Sequence, residues 1–186
     1  LERKKLSFEI IPKEDVGLLL PEMKEISDAW LTSKNTREKE FSLGCFDPEY
    51  LTRFPAAVAR LDGKMVGFVN IWCGSDKEEI SLDLMRYSED APSGVMDYLF
   101  LRLMLWGKMN GYHWFNLGMA PLSGLQDHAL APLWNRFGAL LFRFGEHFYN
   151  FQGLRQYKEK FDPIWEPRYL ASPGGLNLPR VLANVA

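Results

Sequence analysis

The chain has 186 residues, of which 47% are hydrophobic and 25% are charged, and its formal net charge at pH 7 is −2. This composition excludes a disordered protein, and the small net charge excludes the global basic field of a dedicated DNA-binding protein. Two cysteines are too few for a disulfide framework. The three histidines have no spacing typical of metal ligands, so we expect no metal site.

The first forty residues are expected to form a leading helix and a linker. Apolar residues recur at helical spacing from Val16 to Trp30 and predict a helix over about residues 12–34, with Pro21 as a break or kink. No apolar run approaches the roughly 18 residues of a membrane-spanning helix. Because the sequence begins with Leu1 rather than Met, we expect a piece of a longer protein.

The middle of the chain carries turn and cap signals between apolar runs. Asp47 is expected to cap the beginning of a short helix. Residues 56–61 and 65–72 are apolar runs joined by Asp62-Gly63, which is a strong signal for a β-hairpin. We therefore expect a meander of strands from residue 56 onward.

The remaining predicted elements complete a mixed pattern of strands and helices. In chain order they are a strand over 80–87, a helix over 95–110 that Gly111 stops, a strand over 113–117, helices over 130–142 and 149–162, a strand over 165–171 and a helix over 178–185. An antiparallel meander followed by a strand–helix–strand unit resembles the fold of the GNAT N-acetyltransferases. This α/β (α+β) fold has a mixed, mostly antiparallel central sheet flanked by helices, and two of its central strands splay apart to admit a substrate.

The turn before the long helix argues against acetyl-coenzyme A. Acetyltransferases of that superfamily hold the coenzyme A pyrophosphate on a glycine-rich turn at this place. Here the corresponding residues 86–94 contain one glycine, Gly94, together with the acids Glu89 and Asp90. Backbone amides cannot cradle a pyrophosphate there in the usual way, and the two carboxylates repel it. We therefore expect no cofactor.

Three motifs carry a more specific resemblance. They are residues 81–86 (SLDLMR), 115–124 (FNLGMAPLSG) and 144–161 (FGEHFYNFQGLRQYKEKF). In this order they resemble the C-terminal catalytic domain of the bacterial aminoacyl-phosphatidylglycerol synthases, the family of phosphatidylglycerol lysyltransferase and the multiple peptide resistance factor. That family joins a domain of two acetyltransferase-like lobes to an N-terminal membrane-spanning flippase. The resemblance implies that residues 41–186 form the second, catalytic lobe.

The resemblance also implies a reaction and its partners. An aminoacyl group, lysyl in the first place, would pass from aminoacyl-tRNA to the glycerol hydroxyl of phosphatidylglycerol at the cytoplasmic face of the membrane, beside the membrane-spanning region of the parent chain. The donor is an activated ester, so the reaction needs no cofactor. It needs a proton acceptor for the attacking hydroxyl, hydrogen-bond donors for the oxyanion, and cations for the phosphates.

Other functions stay open on the sequence alone. The same fold suits an N-acyltransferase or an aminoacyl-tRNA-dependent transferase that forms peptide bonds. A further alternative is a non-catalytic lobe that binds tRNA or lipid for a larger protein. The amino acid that is carried, and hydrolysis of the ester instead of its synthesis, are also left open.

Asp83, Arg86 and Glu146 are the expected catalytic residues. Asp83 interrupts an apolar strand, and burying an unpaired carboxylate is costly, so a partner or a wet cleft is implied. Arg86 is the nearest candidate. Regular alternation would place Asp83 and Arg86 on opposite faces of the strand, whereas a bulge would bring them together. Arg86 would bind a phosphate while Asp83 orients it or accepts a proton, and the alternative is a structural ion pair.

A polar helix face near the C-terminus supplies further candidates. Glu146, Asn150, Gly153 and Tyr157 have spacings of four, three and four residues, which place them on one face of a helix. Glu146 would bind the substrate amino group or act as a base, with an acid that favours the helix N-terminus as the alternative. Asn150 and Tyr157 are expected to contact the substrate.

The last four expected substrate-binding residues lie on a strand end and on the same late helix. Asn116 and Gly118 follow the strand beside the splay, where an amide or a backbone N–H could polarise the ester carbonyl. Arg155 and Lys158 are expected to contact a phosphate or the oxyanion. The alternative for Asn116 and Gly118 is an ordinary strand end. The alternative for Arg155 and Lys158 is that both are solvated cations.

Overall fold

The computed structural model describes residues 6–34, 45–120, 123 and 151–169. Its elements are β1 (Leu6–Ile11), α1 (Lys13–Ser33), α2 (Pro48–Leu51), β2 (Ala56–Leu61), β3 (Lys64–Cys73), β4 (Glu79–Tyr87), α3 (Val95–Met109), β5 (Trp114–Asn116) and α4 (Phe151–Glu159). The chain divides into two compact units, residues 1–116 and residues 117–186. The sheet, α1, α2 and α3 belong to the first unit, and α4 belongs to the second.

The five strands form one sheet in the order β1-β2-β3-β4-β5. Strands β1 to β4 are antiparallel neighbours, and β5 is parallel to β4. This arrangement confirms the predicted meander and the strand–helix–strand unit. The parallel pairing joins only Glu79–Ser81 to Trp114–Asn116, so most of β4 extends beyond its pairing with β5. The two strands expected to splay apart are thus β4 and β5, and they stop pairing before the middle of β4.

Hydrophobic cores cover both faces of the sheet. One core contains Val69 of β3 together with Leu99 and Leu103 of α3. The other contains Phe68 and Leu84 together with apolar residues of α1, α2, β2 and β3 (Val16, Met23, Ile26, Leu51, Ala56, Val58, Met65). Because neighbouring strand residues point to opposite faces, Phe68 and Val69 separate the two cores. Helices α1 and α3 therefore pack on opposite sides of the sheet.

Helix α1 confirms the predicted leading helix, and of the two alternatives expected at Pro21, a break or a kink, the break is wrong. The helix runs without interruption from Lys13 to Ser33 with Pro21 inside it, on its exposed side. A proline removes one backbone hydrogen bond of the helix. The buried face that includes Val16 and Met23 stabilises the helix through packing, which outweighs that loss.

Strand β1 was not expected from the sequence. All six of its residues pair with β2, from Leu6 opposite Leu61 to Ile11 opposite Ala56. The partners lie about fifty positions further along the chain, so no local signal announces the pairing. This strand places the N-terminal end of the described chain at the edge of the sheet.

Local signals at the turn and cap positions are confirmed. Asp62 and Gly63 have φ values of 51° and 87°, and two positive φ values are the mark of a type I′ hairpin turn. The side chain of Asp47 accepts hydrogen bonds from the backbone N–H groups of Glu49 and Tyr50, as expected of an N-cap. These contacts fix the beginning of α2.

The late elements depart from expectation where they are described. Helix α4 ends at Glu159, three residues before Asp162, which precedes Pro163 and has a φ of 47°. Proline disfavours a right-handed helical residue before it, which agrees with a helix that ends before Asp162. Residues 165–169 are not a strand, so that part of the predicted strand over 165–171 is wrong. The predicted helices over 130–142 and 178–185 lie outside the described residues. In the described ranges, no helix is both long enough and apolar enough to cross a membrane.

Replacing Gly63 by alanine should destabilise the protein, because the φ of 87° at this position is unfavourable for any residue with a Cβ atom. We expect a loss of about 1 kcal/mol in the free energy of unfolding, measured by urea unfolding followed by far-UV circular dichroism. The matched control is Gly17→Ala in the exposed part of α1, where a new Cβ would lie 3.9 Å from the Thr52 methyl group. That change should stabilise the helix by about 0.5–1 kcal/mol. Equal effects of the two substitutions would contradict the turn assignment.

Candidate active site

A β-bulge in the middle of β4 is the main irregularity of the candidate site. The register between β3 and β4 shifts here, so that Asn70 of β3 stands opposite both Asp83 and Leu84. The Asn70 side chain accepts hydrogen bonds through its Oδ1 from the backbone N–H of Asp83 at 3.2 Å and of Leu84 at 2.7 Å. Asn70 is 1% exposed. A buried side-chain amide therefore replaces the regular ladder at this point.

The bulge places Asp83 and Arg86 on the same face of the sheet. Leu84 packs in the core on the α1 side, Asp83 contacts Tyr50 of α2, and Arg86 stacks on Trp30 of α1. An additional residue in one strand reverses the alternation that follows it. The sequence predicted that Asp83 and Arg86 would share a face only if the strand contained a bulge, and the bulge is present.

Tyr50 holds the Asp83 carboxylate. Its hydroxyl donates a hydrogen bond to Oδ2 of Asp83 at 2.9 Å and accepts one from Nε1 of Trp72 at 3.0 Å. Burial and the neighbouring Asp83 carboxylate raise the pKa of Tyr50 to about 12, although the hydrogen bond that Trp72 donates lowers it. The phenol is therefore protonated at neutral pH and acts as a donor to the carboxylate.

Tyr50, Trp72 and Asn70 were missed by the sequence analysis. Asn70 carried a usable signal, because it is a polar residue inside the apolar run of β3, just as Asp83 is in β4. Tyr50 and Trp72 carried none, since an aromatic residue in a short helix or a strand is most often part of the core.

Arg86 is buried, with 8% of its surface exposed. Its guanidinium carbon lies 4.3 Å from the centroid of the Trp30 ring, and its Nη1 donates to the carbonyl oxygen of Met85 at 2.9 Å. Stacking on an aromatic face is a usual way to hold a guanidinium in a fixed orientation. The leading helix thus helps to position one of the expected catalytic residues.

Asn116 lies at the last pair of the parallel ladder, opposite Ser81. Its side-chain nitrogen donates to Oε1 of Glu79 at 3.0 Å, and the residue is exposed. The side chain therefore lies where β4 and β5 stop pairing, as expected from the sequence. Its contact with Glu79 equally suits the alternative, which is an ordinary strand end.

In the second unit, Lys158 and Gly118 lie close together. Lys158 is 6% exposed, and its Nζ donates a hydrogen bond to the carbonyl oxygen of Met119. Gly118 has a φ of 76°, and a Cβ atom built on it would lie 3.6 Å from Nζ of Lys158. Burial lowers the pKa of Lys158 to about 8. Two expected substrate-binding residues from distant segments are thus neighbours.

The other cation of α4, Arg155, has different contacts from Lys158. Arg155 forms an ion pair with Glu159 at 2.8 Å and stacks on Trp165, with 4.7 Å between the guanidinium carbon and the ring centroid. The Tyr157 ring packs edge-on against Phe161 at a centroid distance of 5.7 Å. Arg155 is therefore engaged by its own unit.

The remaining expected residues are described only in part. Glu146 and Asn150 lie outside the described residues, and Gly153 belongs to α4. Among the residues that the structure describes, no group of three or more histidine, cysteine or acidic side chains could hold a metal ion. A groove of about 600 Å³ lies between α3 and β5, and none of the expected site residues within the described ranges lines it (Ile80, Met104, Gly107, Lys108, Tyr112, His113, Trp114, Phe115).

A family model and two related sequences point to the same family. Residues 1–172 match the family described as "Phosphatidylglycerol lysyltransferase, C-terminal". The phosphatidylglycerol lysyltransferase of Bacillus subtilis is 45% identical over 172 residues, which cover 91% of this chain and 20% of that protein. A Staphylococcus epidermidis protein of the same name is 39% identical over 166 residues, covering 89% of this chain and 20% of that protein. The chain spans about a fifth of the length of these curated relatives.

Comparison with solved structures points to the same family. The chain is similar to the C-terminal domain assigned to a lysylphosphatidylglycerol synthetase from Agrobacterium fabrum, with 44% identity, a TM-score of 0.83, and coverage of 99% of this chain and 55% of that one. L-PGS from Bacillus licheniformis gives 40% identity, a TM-score of 0.81 and the same coverage. An aminoglycoside acetyltransferase from a soil metagenomic sample, with 14% identity, a TM-score of 0.50 and coverage of 92% and 96%, shows the acetyltransferase fold alone.

The buried Lys158 should make stability depend on pH. Its pKa is lowered from 10.5 to about 8 in the folded protein, so from pH 8 to pH 10 the unfolded chain binds a proton that the folded protein does not. The free energy of unfolding should therefore rise with pH in this window by up to about 1.4 kcal/mol per unit. Lys158→Met should remove this rise in urea unfolding, and Lys160→Met, at an exposed neighbour, should keep it. A rise that survives Lys158→Met would contradict the assignment.

Proposed function

Because the chain belongs to the family of phosphatidylglycerol lysyltransferase C-terminal domains, we propose that it forms part of the catalytic domain that transfers a lysyl group to phosphatidylglycerol. The donor would be aminoacyl-tRNA. Since that donor is made in the cytoplasm, the reaction would take place at the cytoplasmic face of the membrane, and the membrane-spanning region of the whole protein would be the neighbour of this domain. The acceptor is the glycerol hydroxyl of the lipid headgroup.

The observation that carries the proposal is the common face of Asp83 and Arg86 in the middle of β4. A carboxylate that Tyr50 holds in a fixed orientation can accept or orient the proton of an attacking hydroxyl. A guanidinium stacked on Trp30 suits the phosphate of the lipid or of the tRNA end. Both side chains lie just past the point where β5 stops pairing with β4.

The reaction is an exchange of esters. The glycerol oxygen forms a bond to the carbonyl carbon of the aminoacyl group, and the bond from that carbon to the ribose oxygen of the tRNA breaks. The proton of the glycerol hydroxyl passes to the ribose oxygen, with Asp83 as the group that accepts or orients it. No electron is transferred, so no redox partner is needed.

Lys158 is proposed to act on the negative charge that develops during this exchange. With a pKa of about 8, its ammonium group is mostly charged at pH 7 and loses its proton more readily than an ordinary lysine does. Gly118 leaves space beside Nζ, which a substrate oxygen could use. Glu146 is proposed to bind the α- or ε-ammonium group of the lysyl moiety.

Substitution of the proposed catalytic residues should abolish product formation. In the longest natural chain that contains this sequence, we expect Asp83→Asn, Arg86→Gln and Glu146→Gln each to lower the rate by about 10²-fold or more. The measurement is thin-layer chromatography of lipids from membranes supplied with labelled lysyl-tRNA. Asp28→Asn is the matched control, because Asp28 is exposed and pairs only with Lys24 among the contacts observed, and its activity should be unchanged. Wild-type product from all three variants would refute the site.

Acetyl-coenzyme A should not bind. The acids Glu89 and Asp90 are exposed in the turn before α3, where an acetyltransferase would place the pyrophosphate, and they would repel it. Isothermal titration calorimetry with acetyl-coenzyme A should show no saturable heat. Saturable binding, together with acetylation of a test amine, would favour the N-acyltransferase instead of the lipid reaction.

A further inference from the structure

We propose that Asn70 and Tyr50 are positioning residues for Asp83: Asn70 holds the bulge that turns the carboxylate toward α1, and Tyr50 fixes the orientation of that carboxylate. This inference rests on the proposed function of Asp83. It assigns a role to two residues that belong to β3 and α2 and that lie behind the reacting groups.

Asn70 decides which face Asp83 occupies. The backbone N–H groups of Asp83 and Leu84 both donate to its Oδ1. Without this acceptor two partly or fully buried donors would lose their partner, which is costly. A regular ladder would then be the more favourable arrangement of β4, and it would send either Asp83 or Arg86 to the opposite, apolar face. The side chain of Asn70 therefore maintains the pairing of the two functional residues on one face.

The direction of the hydrogen bonds at Tyr50 follows from chemistry alone. The indole nitrogen of Trp72 can only donate, so at 3.0 Å the hydroxyl oxygen of Tyr50 must accept that hydrogen. The Tyr50 proton is then directed to Oδ2 of Asp83 at 2.9 Å. An ionised carboxylate can only accept. The chain from Trp72 through Tyr50 to Asp83 therefore has one direction, and it ends on the carboxylate.

The surroundings of Tyr50 hold its ring, and with it the hydroxyl group, in this orientation. The Tyr50 ring packs edge-on against Phe54 at a centroid distance of 5.1 Å, and Phe54 in turn lies 6.0 Å from Trp72. The N-cap at Asp47 holds the beginning of α2. Proton transfer depends on the direction of the carboxylate lone pairs, so a carboxylate that could rotate would transfer the proton less often.

The first test removes one oxygen atom. Tyr50→Phe in the longest natural chain that contains this sequence keeps the ring and its packing and removes only the hydroxyl. We expect kcat for lysyl-lipid formation to fall at least tenfold with KM for the lipid changed less than threefold, because binding by Arg86 is kept. Tyr98→Phe is the matched control: its hydroxyl donates to the Leu6 carbonyl at 3.3 Å on the α3 side, and its kcat should stay within twofold. An unchanged kcat for Tyr50→Phe would overturn the role of Tyr50.

The second test asks whether Tyr50 acts through Asp83. In a double-mutant cycle with Asp83→Asn, the loss caused by Tyr50→Phe should disappear, since no carboxylate remains to be oriented. Multiplicative losses would overturn the proposal, because they would mean an independent structural effect. If Asp83→Asn alone keeps full activity, the proposed function of Asp83 fails. If Asp83→Asn loses activity but Tyr50→Phe has no effect, only the positioning role of Tyr50 fails.

The third test decides the role of Asn70. It does not use Asp83→Asn, so it can be carried out even if the residual rate of that variant is too low to measure. Asn70→Asp keeps acceptor oxygens for the two bulge amides, whereas Asn70→Leu keeps a similar volume without an acceptor. We expect Asn70→Leu to lose at least a hundredfold in kcat and Asn70→Asp to retain at least tenfold more activity than Asn70→Leu. Far-UV circular dichroism checks that both variants are folded. Activity of Asn70→Leu near that of the unchanged protein, or equal losses in the two variants, would overturn the role of Asn70.

Discussion

The two hydrogen bonds that Asn70 accepts from the bulged backbone of β4 are the interaction on which the rest of the site depends. A strand with regular alternation cannot present Asp83 and Arg86 together, because residues three apart point to opposite faces. One additional residue in β4 removes this constraint. The amide of a single buried side chain thus converts an ordinary strand into one that can carry a carboxylate and a guanidinium on the same face.

The sheet allows this irregularity because its two faces are stabilised separately. The α3 side holds Leu99 and Leu103 against the regular parts of the strands, and the α1 side holds Leu84 within the bulge itself. Functional irregularities of this kind are tolerated where surrounding structure over-determines them. The apolar neighbours of Leu84 therefore keep the backbone in place, and the polar neighbours of Asp83 set its orientation.

The features that the sequence predicted are those with local causes. Asp47 as an N-cap and Asp62-Gly63 as a turn depend on a few adjacent residues, so both were recognisable. Asp83 is recognisable because a carboxylate within an apolar strand is chemically unusual. The missing parts, β1 and the contact of Tyr50 with Asp83, join residues that are between thirty and sixty positions apart. Long-range pairing of this sort has no signature in one sequence.

The stacking of Trp30 on Arg86 has a consequence for where this domain begins. Helix α1 looks in the sequence like a leader to the sheet, yet it supplies the aromatic surface for the guanidinium of Arg86, and it contributes Val16 and Met23 to the core. A chain trimmed after α1 would expose that core and leave the guanidinium without its support. Because β1 also pairs along its whole length with β2, a shortened chain that is to keep this face of the sheet intact must begin no later than β1.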